Sequence, residues 1–260
     1  MDRKPADRLR GKAIMVVGSG TGIGAATVRR LCAEGARVCA ADINLDAASA
    51  LAGALAAQGH EAFAVPIDIA DEQSVKAAFG TAVERLGRLD GAHINAADMR
   101  TIFADSDAVD VDLGVFDRTM NVNMRGHLLC ARAAIPELER AGGGSLVFTS
   151  SEASMVGEPQ RPSYAMAKSA LNALVRHISS RWGKAGITAN AVAPGFVMTP
   201  EMIAGGQVPE KWVELCLKQV NAPRLGEVDD IAAMVAHLLS ADGRWINGQV
   251  FHVNGGSHYH

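Results

Sequence analysis

The sequence holds no apolar run approaching the roughly 20 residues that a membrane-spanning helix needs, so no membrane partner is expected. It also lacks a dominant charge of either sign. Its 25 Lys and Arg against 28 Asp and Glu leave a formal net charge of -3, which gives no reason to expect nucleic acid or an anionic lipid surface as a partner. The first ten residues are charged and lack the apolar core of a secretory signal. The four cysteines, Cys32, Cys39, Cys130 and Cys216, are scattered without a CxxC pair. That pattern is expected of reduced structural thiols in a cytoplasmic enzyme. No internal repeat, low-complexity tract or linker divides the chain.

What the chain has is length and apolar content. Its 260 residues, 48% of them hydrophobic, suit one large α/β domain or two small ones with a substantial core. Short apolar runs at 13–17, 37–41, 62–67, 91–95, 145–149, 188–192 and 249–253 predict seven strands. They lack clear polar alternation, as strands of a parallel sheet do when both faces are covered. Helices are predicted over 22–34, 45–58, 71–86, 113–141, 162–185 and 227–239. Acidic residues at 71–72 suit a first turn, and Gly35, Gly59 and Gly87 suit helix ends. Alternating strands and helices imply a doubly wound, seven-stranded parallel Rossmann-type sheet with helices on both faces. Two long connections break the alternation, 98–112 and 198–222. Both follow strand carboxyl ends, where ligands bind in open α/β sheets.

The loop Gly18-Ser19-Gly20-Thr21-Gly22-Ile23-Gly24 lies between the first strand and the first helix. Glycines there let a backbone turn tightly and approach a pyrophosphate at the helix N-terminus, although a purely structural turn would use them as well. Asp42 ends the second strand, where a carboxylate can accept hydrogen bonds from adenosine ribose hydroxyls; a helix cap is the alternative. Its charge opposes a 2′-phosphate, and no Lys or Arg follows it directly, so NAD is favoured over NADP.

Tyr164 and Lys168 stand four apart, on one face of a helix. A neighbouring ammonium favours the phenolate and would turn a poor base into a usable one. Ser151 follows the fifth strand, where its hydroxyl can bond a substrate oxygen. Asn95 ends the fourth strand, and Asn123 sits inside a helix, where asparagine needs a specific reason. Any one of these could be a cap or a surface amide; their order is what carries weight.

With these residues in place the chain resembles the short-chain dehydrogenase/reductase family, from about Gly11 to Gly256. Gly18, Gly22 and Gly24 match its TGxxxGxG loop, with Val17 in place of the threonine. Asp42 and Asp68 match its acidic residues after the second and third strands, followed here by Ile43 and Ile69. Its Asn-Ala-Ala-Gly segment reads Asn95-Ala96-Ala97-Asp98, with Asp98 in place of glycine. Pro194-Gly195-Phe196-Val197-Met198-Thr199 is similar to its PGxxxT segment. The resemblance implies an NAD-dependent dehydrogenase with Asn123, Ser151, Tyr164 and Lys168 as its catalytic set. It implies cofactor contacts at Gly18, Thr21, Gly22, Ile23, Gly24, Asp42, Ile43, Asp68, Ile69, Asn95, Ala96, Ala97, Tyr164, Lys168, Pro194, Gly195, Val197 and Thr199. It also implies a homotetramer, or in some members a dimer, and no metal.

The expected divisions are a short extension over 1–10, the catalytic domain over 11–256 and a tail over 257–260. The 198–222 segment reads as a lid with Gly205-Gly206 as its flexible point, and its apolar content suggests an apolar or cyclic alcohol as substrate. The acidic connection at 98–112 reads as a solvated loop. Glu152 and Arg161 flank the catalytic segment, where substrate contact and a surface role are both open to them. His252, His258 and His260 read as strand and tail residues rather than metal ligands. A 3-oxoacyl-thioester reductase is the competing enzyme reading, and Asp42 weighs against it because those relatives usually prefer NADPH. A non-catalytic dinucleotide-binding regulator is the reading from a different class.

Overall fold

Short apolar segments bounded by glycine and acidic residues become strands covered on both faces. A computed structural model describes residues 7–205 and 208–259. The strands among them are β1 (Ala13–Val17), β2 (Arg37–Asp42), β3 (Ala62–Pro66), β4 (Gly91–Ile94), β5 (Gly144–Thr149), β6 (Ile187–Pro194), β7 (Val197–Met198), β8 (Gly226–Glu227) and β9 (Val250–Val253). Seven form one parallel sheet in the order β3-β2-β1-β4-β5-β6-β9, and β7 pairs with β8. The helices are α1 (Gly22–Ala33), α2 (Leu45–Ala57), α3 (Glu72–Leu86), α4 (Leu113–Met120), α5 (Gly126–Arg140), α6 (Pro162–Trp182), α7 (Pro200–Ala204), α8 (Glu210–Gln219) and α9 (Val228–Leu239).

The sheet divides the core in two. Along β1, Ile14 and Val16 pack with Val28 and Leu31 of α1 and with Ile231 and Val235 of α9. Met15 and Val17 join Phe79 of α3, Leu129 of α5 and Val175 of α6 on the other face. This is the doubly wound arrangement the alternation implies. Helix starts are capped by side chains: Asn44 accepts from the Ala47 amide and Asp71 from the Gln73 amide. Gly87 closes α3 with φ of 77°, a left-handed conformation that costs glycine little.

Two features depart from the sequence reading. The single helix expected over 113–141 is two helices joined by a π-helical turn, Asn121–Arg125. The 198–222 segment contains two helices, α7 and α8, and is fastened at its base by the β7–β8 pair. Of the expected flexible point, Gly205 ends α7, whereas Gly206 lies outside the described residues, as does His260 of the tail. The four cysteines are buried and unbridged. Burial pushes the thiols of Cys32 and Cys39 up to about 12 and raises those of Cys130 and Cys216.

Register sets where the site can form. Val17 pairs with Ala41 on one side and Ile94 on the other, and Ile94 pairs with Phe148. The next residues, Asp42, Gly18, Asn95 and Thr149, therefore form one row across the carboxyl edge. The strand order reverses direction between β1 and β4, which makes this edge the switch point where ligands bind.

Buried Asn190 ties the edge strand β9 to β6. Its side-chain nitrogen donates to the Ile246 carbonyl at 2.8 Å, and its oxygen accepts from the Gln249 amide at 3.0 Å. Asn190→Leu should cost about 2–4 kcal/mol in urea unfolding, because both backbone groups lose their partner. An unchanged midpoint would show that water replaces both bonds.

Candidate active site

The glycine loop is shaped by contact. Gly18 has φ of 81°, and a Cβ there would lie 2.5 Å from the Ala96 Cα. A Cβ on Gly24 would lie 1.8 Å from the Gly18 carbonyl oxygen. Gly22 has φ of 53° and lies against the Thr199 methyl. Thr21 stands at the N-cap of α1 without a side-chain cap bond. The amides of a first helical turn have no carbonyl partners within the helix, so this edge offers donors and a positive dipole end to an anion. The Gly22 amide donates to the Glu201 carboxylate at 3.3 Å.

Asp42 accepts from the Gly20 amide at 2.7 Å and the Asn44 amide at 2.8 Å, which fixes its carboxylate beside the loop. Ile43 is 69% exposed next to it. Asp68 is held by Ala70 and Ser74, and Ile69 is buried against Gly126. Glycines that admit no Cβ, a helix N-terminus and a fixed carboxylate 20 residues on fit a dinucleotide: phosphates at the turn, a ribose at Asp42, an adenine near Ile43 and Asp68.

The Ser151 side chain stands close enough to the Tyr164 phenol to act on its ionisation. Burial raises the phenol pKa, while the Ser151 side chain and the Arg161 guanidinium lower it. The Lys168 ammonium lies 5.8 Å from the centre of the Tyr164 ring and donates to the Thr149 carbonyl at 2.8 Å. Burial pulls its pKa down to about 8. The sequence reading had the Lys168 ammonium lowering the phenol, with the positive nicotinamide ring acting in the same sense. Here burial dominates and raises it, and the cation that acts on the phenol is Arg161.

The start of α6 is capped from 58 residues away. Arg161 has a left-handed backbone, φ 62°, and caps nothing with its side chain, which pairs instead with Glu158 at 2.5 Å. Its amide donates to the Ser106 carbonyl at 2.8 Å. Buried Asp105 supplies the cap, accepting from the Tyr164 amide at 2.9 Å, the Ser163 amide at 3.3 Å and the Ser163 hydroxyl at 2.8 Å. The 98–112 loop is therefore not simply solvated. Asp98 is also buried, ion-paired with Arg100 and Arg118, and Asp112 caps α4. The carboxyl of Asp98 is held down at about 2: the Arg100 and Arg118 bonds outweigh the opposing, larger effect of burial.

Asn123 lies buried in the π turn. Its amide oxygen accepts from the Asp98 amide at 2.7 Å and its nitrogen donates to the Asp98 carbonyl at 3.4 Å. The side chain thus ties the loop to the helix. Asn95 braces the glycine loop, donating to the Gly18 carbonyl at 2.8 Å. Ala96 and Ala97 follow at the same edge, with the Ala96 amide bonded to the Val17 carbonyl.

On the far side, Pro194 ends β6 and Gly195 packs against Asn254 so closely that a Cβ would lie 2.7 Å from the Asn254 Cβ. Val197 is in β7, and Thr199 caps α7 by accepting from the Met202 amide at 3.3 Å. Glu152 accepts from Asn254 at 3.1 Å and Ser257 at 2.6 Å, binding the C-terminal turn to the residue after Ser151. Among the described residues no cluster of three or more His, Cys, Asp or Glu is placed to hold a metal, and no helix is long and apolar enough to cross a membrane.

Residues 17–258 match a family model described as enoyl-(acyl carrier protein) reductase. The chain is 40% identical over 254 residues to a protein of Bradyrhizobium diazoefficiens named as a short-chain type dehydrogenase/reductase, covering 96% of this chain and 88% of that one. It is 37% identical over 250 residues to the 2,5-dichloro-2,5-cyclohexadiene-1,4-diol dehydrogenase of Sphingobium indicum, covering 95% and 97%. The crystal structure of levodione reductase superposes with a TM-score of 0.87 at 30% identity, covering 95% of this chain and 97% of that one.

Asp105→Ala should cost about 2 kcal/mol of stability, the range of a lost helix cap whose amides regain water. It should also speed hydrogen exchange at the Ser163 and Tyr164 amides. Unchanged exchange at Tyr164 would mean that the cap is not formed in solution.

Proposed function

The chain belongs to the short-chain dehydrogenase/reductase family, and from that membership we propose that it is an NAD-dependent dehydrogenase interconverting an apolar, cyclic secondary alcohol and its ketone. The observation that carries this reading is Ser151 beside the Tyr164 phenol, with the Lys168 ammonium 5.8 Å from the Tyr164 ring centre one turn further along α6, next to a glycine cradle that fits a dinucleotide. A bound nicotinamide supplies the hydride acceptor in oxidation and the donor in reduction.

In oxidation the Tyr164 phenolate takes the hydroxyl proton from the substrate, and the Ser151 hydroxyl holds the same oxygen. Lys168 keeps a positive charge beside the phenolate and offers its remaining protons to the nicotinamide ribose. Asn123 holds the π turn, through which a water would connect Lys168 to solvent. In reduction the Tyr164 phenol returns its proton to the ketone oxygen. The carboxylate of Asp42 supports NAD, since a 2′-phosphate would meet it at close range. Glu201 shares the Gly22 amide and would have to yield it to a phosphate.

The substrate class is supported by the cyclic diol in the name of the Sphingobium relative. The apolar side chains Ile203, Trp212 and Leu215, exposed on α7 and α8, agree with it. We place these helices as the lid over the site. The outer face of α5 and α6 carries Leu128, Leu174 and Trp182, a surface suited to pairing subunits in a homotetramer, which light scattering would test. Four unbridged cysteines support a reducing, cytoplasmic setting.

Tyr164→Phe should abolish turnover of cyclic secondary alcohols while leaving the Kd for NAD⁺ within about twofold, because the lost hydroxyl acts on the substrate proton. Near-normal turnover would overturn the assignment. Side-by-side rates should favour NADH over NADPH; the reverse preference would point to a 3-oxoacyl-thioester reductase instead.

The pH dependence follows from the phenol. Burial raises its pKa, so the base is protonated at neutral pH. Oxidation should climb as pH rises and reduction should fall. Arg161→Gln removes a cation that lowers the phenol pKa, so the rising limb should move to higher pH. A limb that stays in place would remove Arg161 from the chemistry.

A further inference from the structure

His93 of β4 is fully buried behind the site, with its Nε2 at 2.8 Å from the Thr149 hydroxyl oxygen. The protons around this contact can be assigned by elimination. A carbonyl oxygen only accepts, so the Asn95 side-chain nitrogen faces Gly18, at 2.8 Å. The Asn95 oxygen then faces the Thr149 hydroxyl, at 2.9 Å. That oxygen also only accepts, so the single hydroxyl proton of Thr149 is committed to Asn95. Nε2 of His93 must therefore carry a proton and donate it. Its Nδ1 has no hydrogen-bond partner, as fits a bare nitrogen in an apolar wall.

Thr149 is thus held at both ends. Its carbonyl accepts from Lys168 at 2.8 Å. Its hydroxyl, turned by His93, reaches through Asn95 to the first glycine of the loop. Gly18, Asn95 and Thr149 follow paired residues and share one row at the sheet edge, and His93 lies two residues behind it on β4, paired with Val16 and Val147. Burial above all, and the Lys168 charge after it, disfavour a charged imidazole and pull the His93 pKa down to about 3, so the ring stays neutral. An aliphatic side chain would fill this wall without burying an unpaired nitrogen. The donor on Nε2 is what the imidazole adds.

We propose that His93 is a positioning residue which, as the neutral Nε2–H tautomer, locks Thr149 and thereby couples the glycine loop to Lys168. The proposal rests on the reading of those two groups given above. A change at the loop is transmitted to the lysine through three side-chain contacts, without His93 touching cofactor or substrate.

The first test is independent of activity. In a sample of the full chain labelled with ¹⁵N-histidine, the resonances lost in His93→Gln identify His93. They should show a protonated Nε2 and a bare Nδ1; the opposite tautomer overturns the proposal. The second test is functional. His93→Leu should lower kcat about fivefold and weaken NAD⁺ binding by a similar factor in calorimetry, one hydrogen bond's worth. His93→Gln, whose amide can still donate, should recover most of both.

Thr149→Val keeps the carbonyl for Lys168 and loses the hydroxyl. It should match His93→Leu, and the double variant should be no worse than either. Additive losses, or wild-type binding and turnover in His93→Leu, would refute the coupling. If His93→Leu does not fold, Thr149→Val and the tautomer spectrum decide. Were Tyr164→Phe to retain turnover, the enzymatic reading would fail while the tautomer and the binding data still judged His93.

Discussion

Taking an ammonium ion out of water costs several kcal/mol unless its protons find acceptors, and Lys168 is 1% exposed. That cost organises the carboxyl edge of the sheet. The terminal carbonyl of β5 has to turn toward Nζ, so the position of Thr149 becomes critical and so does everything that fixes Thr149. Helix α6 must also be anchored firmly enough to hold the charge there. The ammonium pulled down to about 8 by burial is a group that can move a proton near neutrality, which a solvated lysine is not. The tyrosine one turn earlier meets the same environment with the opposite result, because desolvation penalises its charged form.

The anchoring of α6 carries its own cost. A left-handed backbone at a residue other than glycine is worth roughly 1–2 kcal/mol of strain, and Arg161 accepts it at the first step into the catalytic helix. Glycine would remove the strain and the guanidinium with it. The bond from its amide to Ser106 and the ion pair with Glu158 hold the conformation in place. Asp105 then does what a capping residue at position 161 would ordinarily do. The acidic connection and the catalytic helix behave as one rigid piece because neither can satisfy its polar groups without the other.

Local features were legible in the sequence because they are written in neighbouring residues. Apolar runs located all seven strands of the main sheet, and Gly18, Gly22 and Gly24 announced a steric requirement that the contacts at Ala96 and the Gly18 carbonyl explain. Tyr164 and Lys168 share a helix face through spacing alone. The cap from Asp105 spans 58 residues, and no local pattern distinguishes it from Asp107 or Asp110 beside it. The π turn at Asn121–Arg125 leaves no mark beyond an asparagine in an awkward place. Net direction of a pKa was likewise out of reach, since the partners of Tyr164 can be counted from sequence but its burial cannot.

Three thiols sealed in the core, two of them held near 12, and a fourth buried on the inner side of α8 make the folded molecule a quiet background for thiolate-selective reagents. A cysteine introduced on the exposed face of α8, at Leu215 for example, would be the one rapidly alkylated position. A single fluorophore there would report the movement of that helix without the native sulfurs having to be removed first.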